Sequence, residues 1–178
     1  IEQHGPMLPV GCDTFLAATR ALEAARRARG THGVRVLVAP PIPFGIAPQH
    51  RDFAGTISLD LDIYVHLIQN VIREVLRPGF SRIACVSGHG GNMVPAEAAL
   101  RELAAQLHRE GVSDVRLYLA DGKNCFTHAQ ELYDKMDQGQ FTFHASAGET
   151  SYYMLLRPDL VKEEGLVRPE VKVNRLPM

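Results

Sequence analysis

Short apolar runs alternate with longer helical patterns along this chain, and this alternation is the strongest constraint on its fold. Strands are predicted at residues 34–39, 83–86 and 115–120, with a brief one at 56–59. Helices are predicted at residues 15–29, 60–76, 95–110, 127–136 and 149–156. Because strands separated by helices build βαβ units, the sequence predicts one α/β domain over residues 1–178. We expect a three-layer α/β/α arrangement around a mostly parallel sheet.

Composition and charge exclude several classes of protein. The 178 residues carry 19 Lys and Arg against 20 Asp and Glu, so no basic surface for nucleic acid is expected. No apolar run approaches the ~18 residues of a membrane span. The three cysteines, Cys12, Cys85 and Cys125, are odd in number and far apart, which favours a reducing, cytoplasmic compartment over a disulfide framework.

The chain begins with Ile1 rather than Met, and its most informative motif begins at Glu2. Either the N-terminus is trimmed or the sequence is a piece of a longer protein. We therefore expect that the first strand and helix of the domain are missing from this sequence, and that the missing strand would hold Glu2 in place.

Acidic and histidine side chains occur in segments that are expected to meet at one edge of the sheet. Ligands of such sheets bind at the carboxyl ends of the strands, so the loops after residues 39, 86 and 120 should share this edge. Glu2 and His4 are two residues apart and would point to the same side of a strand, and Asp13 stands at a helix start. These side chains could hold a divalent metal ion. Alternatively, Asp13 only caps its helix and His4 lies on the surface.

The turn S-G-H-G-G-N at residues 87–92 places His89 directly after a predicted strand. Its glycines allow close backbone approach, which suits either a phosphate group or a metal ion. The pattern is not G-x-G-x-x-G and no P-loop lysine follows, so nucleotide binding is the weaker hypothesis. We interpret His89 as a metal ligand, and a histidine merely tolerated in the turn is the alternative.

His144 and Glu149 form the third group of chemically interesting residues. Glu149 is predicted to open a helix, where it could be no more than a partner of the helix dipole. His144 lies on the preceding loop. A loop histidine beside a metal-binding Glu is suited to moving protons, because the ordinary pKa of imidazole is close to neutral.

Together these motifs resemble those of the creatininase family of metal-dependent amidohydrolases. The resemblance rests on E-Q-H-G-P at residues 2–6, G-C-D-T at 11–14, G-H-G-G-N at 88–92 and H-A-S-A-G-E-T-S at 144–151. The segments P-P-I-P-F-G at 40–45 and F-A-G-T-I at 53–57 are similar to further segments of the family. The matches run in the family's order over nearly the whole chain.

The resemblance implies a site for two divalent metal ions. The ligands would be Glu2, His4, Asp13, His89 and Glu149, with Asp13 bridging the ions, and His144 would be the catalytic histidine. A metal-activated water would then cleave an amide C–N bond, in a cyclic amide or a formamide, of a small polar substrate. Zn²⁺ is favoured for mixed nitrogen and oxygen ligands, with Mn²⁺ or Fe²⁺ as alternatives.

Departures from the family bear on the substrate. The chain has no Trp, and Gly90 and Gly91 replace a Tyr-Glu pair, which argues against creatinine itself. Candidates for contacts with the substrate are Gln49, His50, Phe53 and Gly90, with core packing as the alternative for Phe53. Cys12 is interpreted as a packed residue rather than a soft contact to a metal.

Two further functions stay open on the sequence. Some relatives open keto-inositol rings by C–C hydrolysis, and the chain could also be a metal-binding relative without catalytic activity. The resemblance implies a homohexamer that acts on a small-molecule substrate. The charge balance and the lack of a long apolar run predict neither nucleic acid nor membrane as a partner.

Overall fold

The computed structural model describes residues 1–121, 144–162 and 164, and these residues contain four α-helices and two β-strands. The helices are α1 (Cys12–His32), α2 (Leu61–Leu76), α3 (Met93–Arg109) and α4 (Ala147–Leu156). The strands are β1 (Arg82–Ser87) and β2 (Arg116–Asp121). Short 3₁₀ helices occur at Pro48–His50, Gly90–Asn92 and Pro158–Leu160. Among the described helices, none combines the length and the apolar character that crossing a membrane requires.

The two strands form a parallel sheet in which the register runs from the pair Arg82 and Arg116 to the pair Ser87 and Asp121. Helix α3 connects them, so β1, α3 and β2 are one βαβ unit. Parallel pairing needs such a crossover, which returns the chain to the same edge of the sheet. The predicted α/β fold class is therefore confirmed.

The main core lies between the sheet and helices α2 and α3. Its buried residues come from the two helices and are Ile72, Leu100, Leu103 and Leu107. Alternate strand residues, Ile83 and Cys85 in β1 and Leu117 and Leu119 in β2, pack against them. Tyr118, between two of these positions, points to the other face and is 55% exposed. This alternation is the period-2 pattern of a strand that is covered on one face.

A second core cluster joins the N-terminal segment to α1 and α4. It consists of Leu8, Cys12, Leu16 and Tyr153, and Phe15 packs against it. Cys12 is fully buried in this cluster, and burial raises the pKa of its thiol. Cys12 is therefore a packed apolar residue, as expected. The cluster packs the start of α1 against α4.

Most of the predicted elements are present, and the largest error is the strand at residues 34–39. Helix α2 begins one residue later than predicted, whereas α1 extends the predicted 15–29 by three residues at each end. Residues 34–39 are not a buried strand: they form no ladder with any described segment, and Val34, Val36 and Leu37 are 51%, 48% and 78% exposed. A strand requires a partner for its backbone groups, and an apolar, β-branched run does not supply one. The helix predicted at 127–136 lies outside the described residues.

Two other short strands are replaced by isolated bridges. The predicted strand at 56–59 contributes a single parallel bridge from Ser58 to Gly45. The segment around Glu2 is a tight turn rather than a strand, with one antiparallel bridge from His4 to Leu8 and a positive φ of 65° at Gly5. Glu2 and His4 are nevertheless both buried on the inside of this turn.

Gly88 lies where the chain leaves β1 and passes the first turn of α1. A Cβ atom at this position would stand 2.2 Å from the main-chain oxygen of Asp13, and backbone atoms cannot move aside at low cost. We expect Gly88→Ala to lower the free energy of unfolding, measured by urea denaturation, by about 1–3 kcal/mol. Gly30→Ala in α1 is the control, because its Cβ position is open, and it should raise stability by about 0.4–1 kcal/mol. An unchanged stability in Gly88→Ala would contradict the close approach.

Candidate metal centre

Asp13 lies in the first turn of α1, but it does not cap the helix. Gly11 occupies the N-cap position, and no side chain makes a capping hydrogen bond there. The carboxylate is instead turned towards two histidines, with Oδ1 3.3 Å from His4 Nε2 and Oδ2 3.3 Å from His89 Nδ1. The alternative interpretation of Asp13 as only a helix cap is therefore excluded.

Glu2 and His4 are almost completely buried, with 2% and 1% of their surfaces exposed. His4 Nδ1 donates a hydrogen bond to the main-chain oxygen of Glu2 at 3.0 Å. This orients the ring so that Nε2 faces the carboxylates of Asp13 and Glu149. Nε2 lies 3.9 Å from Glu149 Oε1 as well as close to Asp13. A main-chain carbonyl on one ring nitrogen is the usual way in which proteins orient a histidine whose other nitrogen binds a metal.

His89 follows the same pattern from the other side of the centre. Its Nε2 donates a hydrogen bond to the main-chain oxygen of Ile46 at 2.9 Å. Its Nδ1 lies 2.9 Å from Glu2 Oε2 and 3.3 Å from Asp13 Oδ2. The loops after residues 39 and 86 thus meet at one edge of the sheet, as predicted, whereas the loop after residue 120 lies outside the described residues.

Glu149 is held at the start of α4 by a capping box. The Ser146 main-chain N–H donates to Glu149 Oε2 at 2.8 Å, and Ser146 Oγ accepts from the Glu149 N–H at 3.2 Å. With Oε2 engaged in this way, Oε1 is the oxygen that faces His4. The helix start therefore orients the carboxylate as well as ending the loop before it.

The side chains form two clusters that share Asp13. The first cluster is Glu2, Asp13 and His89, and the second cluster is His4, Asp13 and Glu149. Within each cluster one candidate ligand atom per residue lies within 4.8 Å of the others. Each cluster thus offers two carboxylates and one imidazole, and Asp13 can serve both because its two oxygens face different histidines. The five ligands suggested by the sequence are brought together here.

Two buried polar atoms at this centre have no hydrogen-bond partner. They are Glu2 Oε2 and His4 Nε2, and the 2.9 Å contact between Glu2 Oε2 and His89 lies outside hydrogen-bond geometry. Unpaired buried polar atoms cost free energy, so a native structure normally pairs them with water or an ion. The first cluster and the second cluster each contain one of these atoms, so the residues fit a metal ion in either position.

Electrostatics at the centre favour positive charge. Burial alone would lower the pKa of His4, but the neighbouring Asp13 carboxylate and Cys12 thiol outweigh burial and raise this pKa to about 11. Burial likewise opposes the shift at His89, where Asp13 and Glu2 raise the pKa to about 9. His4 and His89 in turn hold the pKa of Asp13 well below its ordinary value, against the effect of burial. Carboxylates that stabilise a protonated imidazole this strongly would also stabilise a divalent cation.

His144 lies beside the centre rather than within either shared cluster. Its ring centroid is 4.3 Å from that of His4, its Nδ1 is 3.6 Å from Glu2 Oε2, and its Nε2 is 3.4 Å from Gln3 Oε1. Burial and the nearby charge of His4 lower its pKa, while Glu2 opposes them. With 28% of its side chain exposed, His144 can be reached from solvent. It also forms a third grouping with Glu2 and His4.

The four residues expected to contact the substrate have different surroundings. Gln49 and His50 both contact Glu2 Oε1, Gln49 through Nε2 at 3.1 Å and His50 through Nδ1. Phe53 is 52% exposed and meets the His50 ring edge-on at 5.9 Å, so the alternative of core packing is wrong. Gly90 is exposed at the start of the 3₁₀ turn next to His89.

Three supporting residues were missed by sequence reasoning. Gln3 faces His144, Ser146 holds Glu149, and Asn92 Oδ1 accepts a hydrogen bond from the Ile46 N–H at 2.8 Å. The spacing S-x-x-E from Ser146 to Glu149 is a capping-box signal that could have revealed the second of these. Nothing in the local sequence identifies the partners of Gln3 and Asn92, because both contacts are between distant segments.

The glycines of the turn after β1 make room for protein atoms. A Cβ atom at Gly91 would stand 2.4 Å from His89 Nε2 and 2.8 Å from the main-chain oxygen of Ile46. A Cβ atom at Gly45, in the facing loop, would meet the Asn92 amide at 2.5 Å. The space that the glycines leave is filled by the histidine and by the facing loop. This argues against the nucleotide-binding hypothesis for the turn.

Comparison with known proteins identifies the family to which this arrangement belongs. The family model described as creatininase, or creatinine amidohydrolase, matches residues 1–177. The chain belongs to the creatininase family. Members of this family are hydrolases.

Three relatives of this creatininase-family chain carry different names. A mycofactocin precursor peptide peptidase of Mycobacterium ulcerans is 32% identical over 162 residues, which are 89% of this chain and 64% of the relative. The creatinine amidohydrolase of Pseudomonas putida is 27% identical, over 94% and 65% of the two chains. The 3-dehydro-scyllo-inosose hydrolase of Thermotoga maritima is 28% identical, over 96% and 52%. The chain thus spans less than two thirds of the length of these relatives.

Solved structures share the creatininase fold. A creatinine amidohydrolase has a TM-score of 0.76 at 25% identity, with 93% of this chain and 65% of that chain covered. A putative creatinine amidohydrolase of Bacteroides fragilis has a TM-score of 0.74 at 26% identity, with 99% and 70% covered. A creatininase with manganese has a TM-score of 0.77 at 24% identity, and this last similarity concerns the fold alone.

Proposed function

We propose that this chain carries the dinuclear metal centre of a hydrolase that cleaves an amide C–N bond of a small polar, non-peptide substrate. The observation that carries the proposal is the pair of clusters that share Asp13, each with two carboxylates and one imidazole. The unpartnered buried atoms Glu2 Oε2 and His4 Nε2 support it, because metal ligands need no hydrogen-bond partner for the atom that binds the ion.

In this proposal the first cluster would hold one ion and the second cluster another, and Asp13 would be a ligand in both. The mixture of imidazole nitrogen and carboxylate oxygen suits Zn²⁺, with Mn²⁺ or Fe²⁺ as alternatives. When bound, such ions lower the pKa of water towards neutrality and polarise a carbonyl group. The capping box of α4 and the main-chain acceptors of His4 and His89 keep the ligand atoms aimed at the centre.

His144 is proposed to carry the proton that the reaction must move. Its ring stands next to Glu2 and His4 but is partly exposed, so that it can touch both the centre and a substrate. An imidazole in this place can accept a proton at a ring nitrogen and deliver it to the leaving amine. The contact of His144 Nε2 with Gln3 Oε1 fixes the orientation of the ring.

A cyclic amide or a formamide is the proposed substrate class, and a peptide amide is the second candidate. The cyclic amide is supported by the creatinine amidohydrolase relative, which is 27% identical over 94% of this chain. The second is favoured by the 32% identical relative, whose name describes a peptide peptidase. Both candidates use the same residues, because hydrolysis of either amide requires an activated water and a protonated leaving nitrogen.

Metal analysis of wild type and His89→Ala tests the centre directly. The wild type, purified without chelator and measured by elemental analysis, should hold about two equivalents of Zn, Mn or Fe, as in two-metal hydrolytic sites. His89→Ala should lose one equivalent, because His89 belongs only to the first cluster. His108→Ala, an exposed change on α3, is the control and should keep both.

Substrate class is separated by assaying the same proteins on four compounds: a cyclic amide, an N-substituted formamide, a short peptide and a keto-inositol. We expect chelator-sensitive turnover of one of the first two. Cleavage of the peptide alone would select the second candidate, and turnover of the keto-inositol alone would contradict C–N hydrolysis. A wild type that takes up no metal even after reconstitution would refute the proposed centre.

A further inference from the structure

His50 lies between two residues of the proposed site and contacts both. It closes the short 3₁₀ helix Pro48–His50, and 22% of its side chain is exposed. Its Nδ1 contacts Glu2 Oε1, and its ring is stacked on that of His144, with centroids 4.2 Å apart and planes at 30°. The Phe53 ring makes an edge contact with the His50 ring, with centroids 5.9 Å apart.

The two carboxylate oxygens of Glu2 have different surroundings. Oε1 accepts a hydrogen bond from Gln49 Nε2 at 3.1 Å in addition to its contact with His50. Oε2 has no hydrogen-bond partner and faces the first cluster. Because the side chain is 2% exposed, no bulk solvent competes for either oxygen. A carboxylate held by one oxygen offers the other oxygen in one direction, and such outer contacts raise metal affinity.

The stacking contact limits the movement of His144. The residue that follows His144, Ala145, has a positive φ of 50°. The His144 ring lies against the rings of both His4 and His50, with centroid distances of 4.3 and 4.2 Å. Without His50, the ring would lose its stacked neighbour and keep its contacts with His4, Gln3 and Glu2.

We propose that His50 is a positioning residue with two separable tasks: its Nδ1 holds Glu2, and its ring face holds His144. The sequence suggested instead that His50 contacts the substrate. In the structure its Nδ1 is already engaged by a buried carboxylate, and its ring face is covered by His144. The task on Glu2 rests on the proposed metal centre, whereas the task on His144 does not depend on any metal.

Two substitutions separate the tasks. His50→Phe keeps an aromatic ring for the stack on His144 but removes the hydrogen-bond donor to Glu2. His50→Asn keeps an amide near the place of Nδ1 but removes the ring. His66→Phe and His66→Asn are matched controls, because His66 is exposed on α2 and its Nδ1 donates to the Asp62 main-chain oxygen of its own helix.

The readouts are metal affinity and the accessibility of the His144 ring. Affinity is measured by competition with a zinc chelator, and accessibility by the rate at which diethyl pyrocarbonate modifies His144, followed by peptide mass analysis. His50→Phe is expected to lose about tenfold to a hundredfold in affinity for one ion, as is typical for an outer contact to a ligand, with an unchanged modification rate. His50→Asn should retain the affinity and show faster modification of His144. The controls should change neither.

Each other result contradicts the proposal. If both variants change both readouts equally, the effect is a general loss of structure; if neither variant changes a readout, the contacts have no consequence. A raised KM with unchanged metal affinity and unchanged His144 modification would assign His50 to the substrate instead. A wild type without metal would refute the metal centre and the task on Glu2, whereas an unaltered modification rate in His50→Asn would refute the task on His144 alone.

Discussion

Asp13→Asn is expected to abolish hydrolysis and to release both metal ions, because Asp13 is the residue that belongs to both clusters. Its two oxygens face His4 Nε2 and His89 Nδ1, each at 3.3 Å. Asparagine keeps the shape but has one oxygen and no charge, and its NH₂ group would point at one of the ligand positions. Metal polarisation is worth several kcal/mol, and each 1.36 kcal/mol is tenfold in rate, so we expect a loss of at least about a thousandfold.

The control for this change is Asp62→Asn, which alters the corresponding acidic residue in the first turn of α2. Asp62 is exposed, so its replacement should leave metal content and turnover unchanged. Metal content is measured by elemental analysis, and folding by the cooperativity of urea unfolding. If Asp13→Asn folded normally and retained two equivalents of metal, the interpretation of Asp13 as the shared ligand would be wrong.

His144→Ala is expected to leave the metal bound but to reduce turnover by about a hundredfold to ten-thousandfold, the usual contribution of a general acid or base. The ring is outside the first cluster and the second cluster, and its partial exposure allows it to face a substrate. The expected loss is in kcat, with little change in metal affinity. Steady-state kinetics on the best amide of the panel, together with elemental analysis, provides both values.

A metal-ligand role for His144 would give a different result in the same variant. His144 forms a third grouping with Glu2 and His4, so a ligand role would be visible as loss of metal from His144→Ala. In that case His144 would be assigned to the metal and the proton would need another carrier. His108→Ala serves again as the surface control.

The sequence correctly predicted the helices and strands whose buried residues can be recognised from the local pattern of apolar positions. Helix α2 was predicted within one residue, since its apolar positions repeat at helical spacing and it packs on α3 through Ile72. Strand β1 was predicted from its short apolar run, and helix α3 from a segment that begins at a proline and is followed by Gly111. Residues 34–39 have strand composition but no ladder in the described part of the chain, because pairing depends on a second segment that composition does not reveal.

In the candidate site, too, the sequence identified residues but not the contacts between them. The side chains Glu2, His4, Asp13, His89 and Glu149 were chosen from motifs, and the structure brings them within reach of each other. The sequence placed Gln49 and His50 in the same region but assigned them to the substrate, whereas their polar atoms contact Glu2. Which oxygen of Glu2 is held and which is unpartnered could not be inferred, because it depends on contacts across 47 and 48 residues of chain.

By itself the sequence determined the α/β class, the family and the types of residue available for metal chemistry. These follow from periodicity and from short motifs, which are encoded within a few neighbouring positions. The resemblance already implied that Asp13 is shared. Only the tertiary structure decided which oxygen of Asp13 faces which histidine, that Ser146 orients Glu149 and that His50 lies between Glu2 and His144. Distances of 3–4 Å between side chains are set by how helices and loops pack, and packing joins residues that the chain order keeps apart.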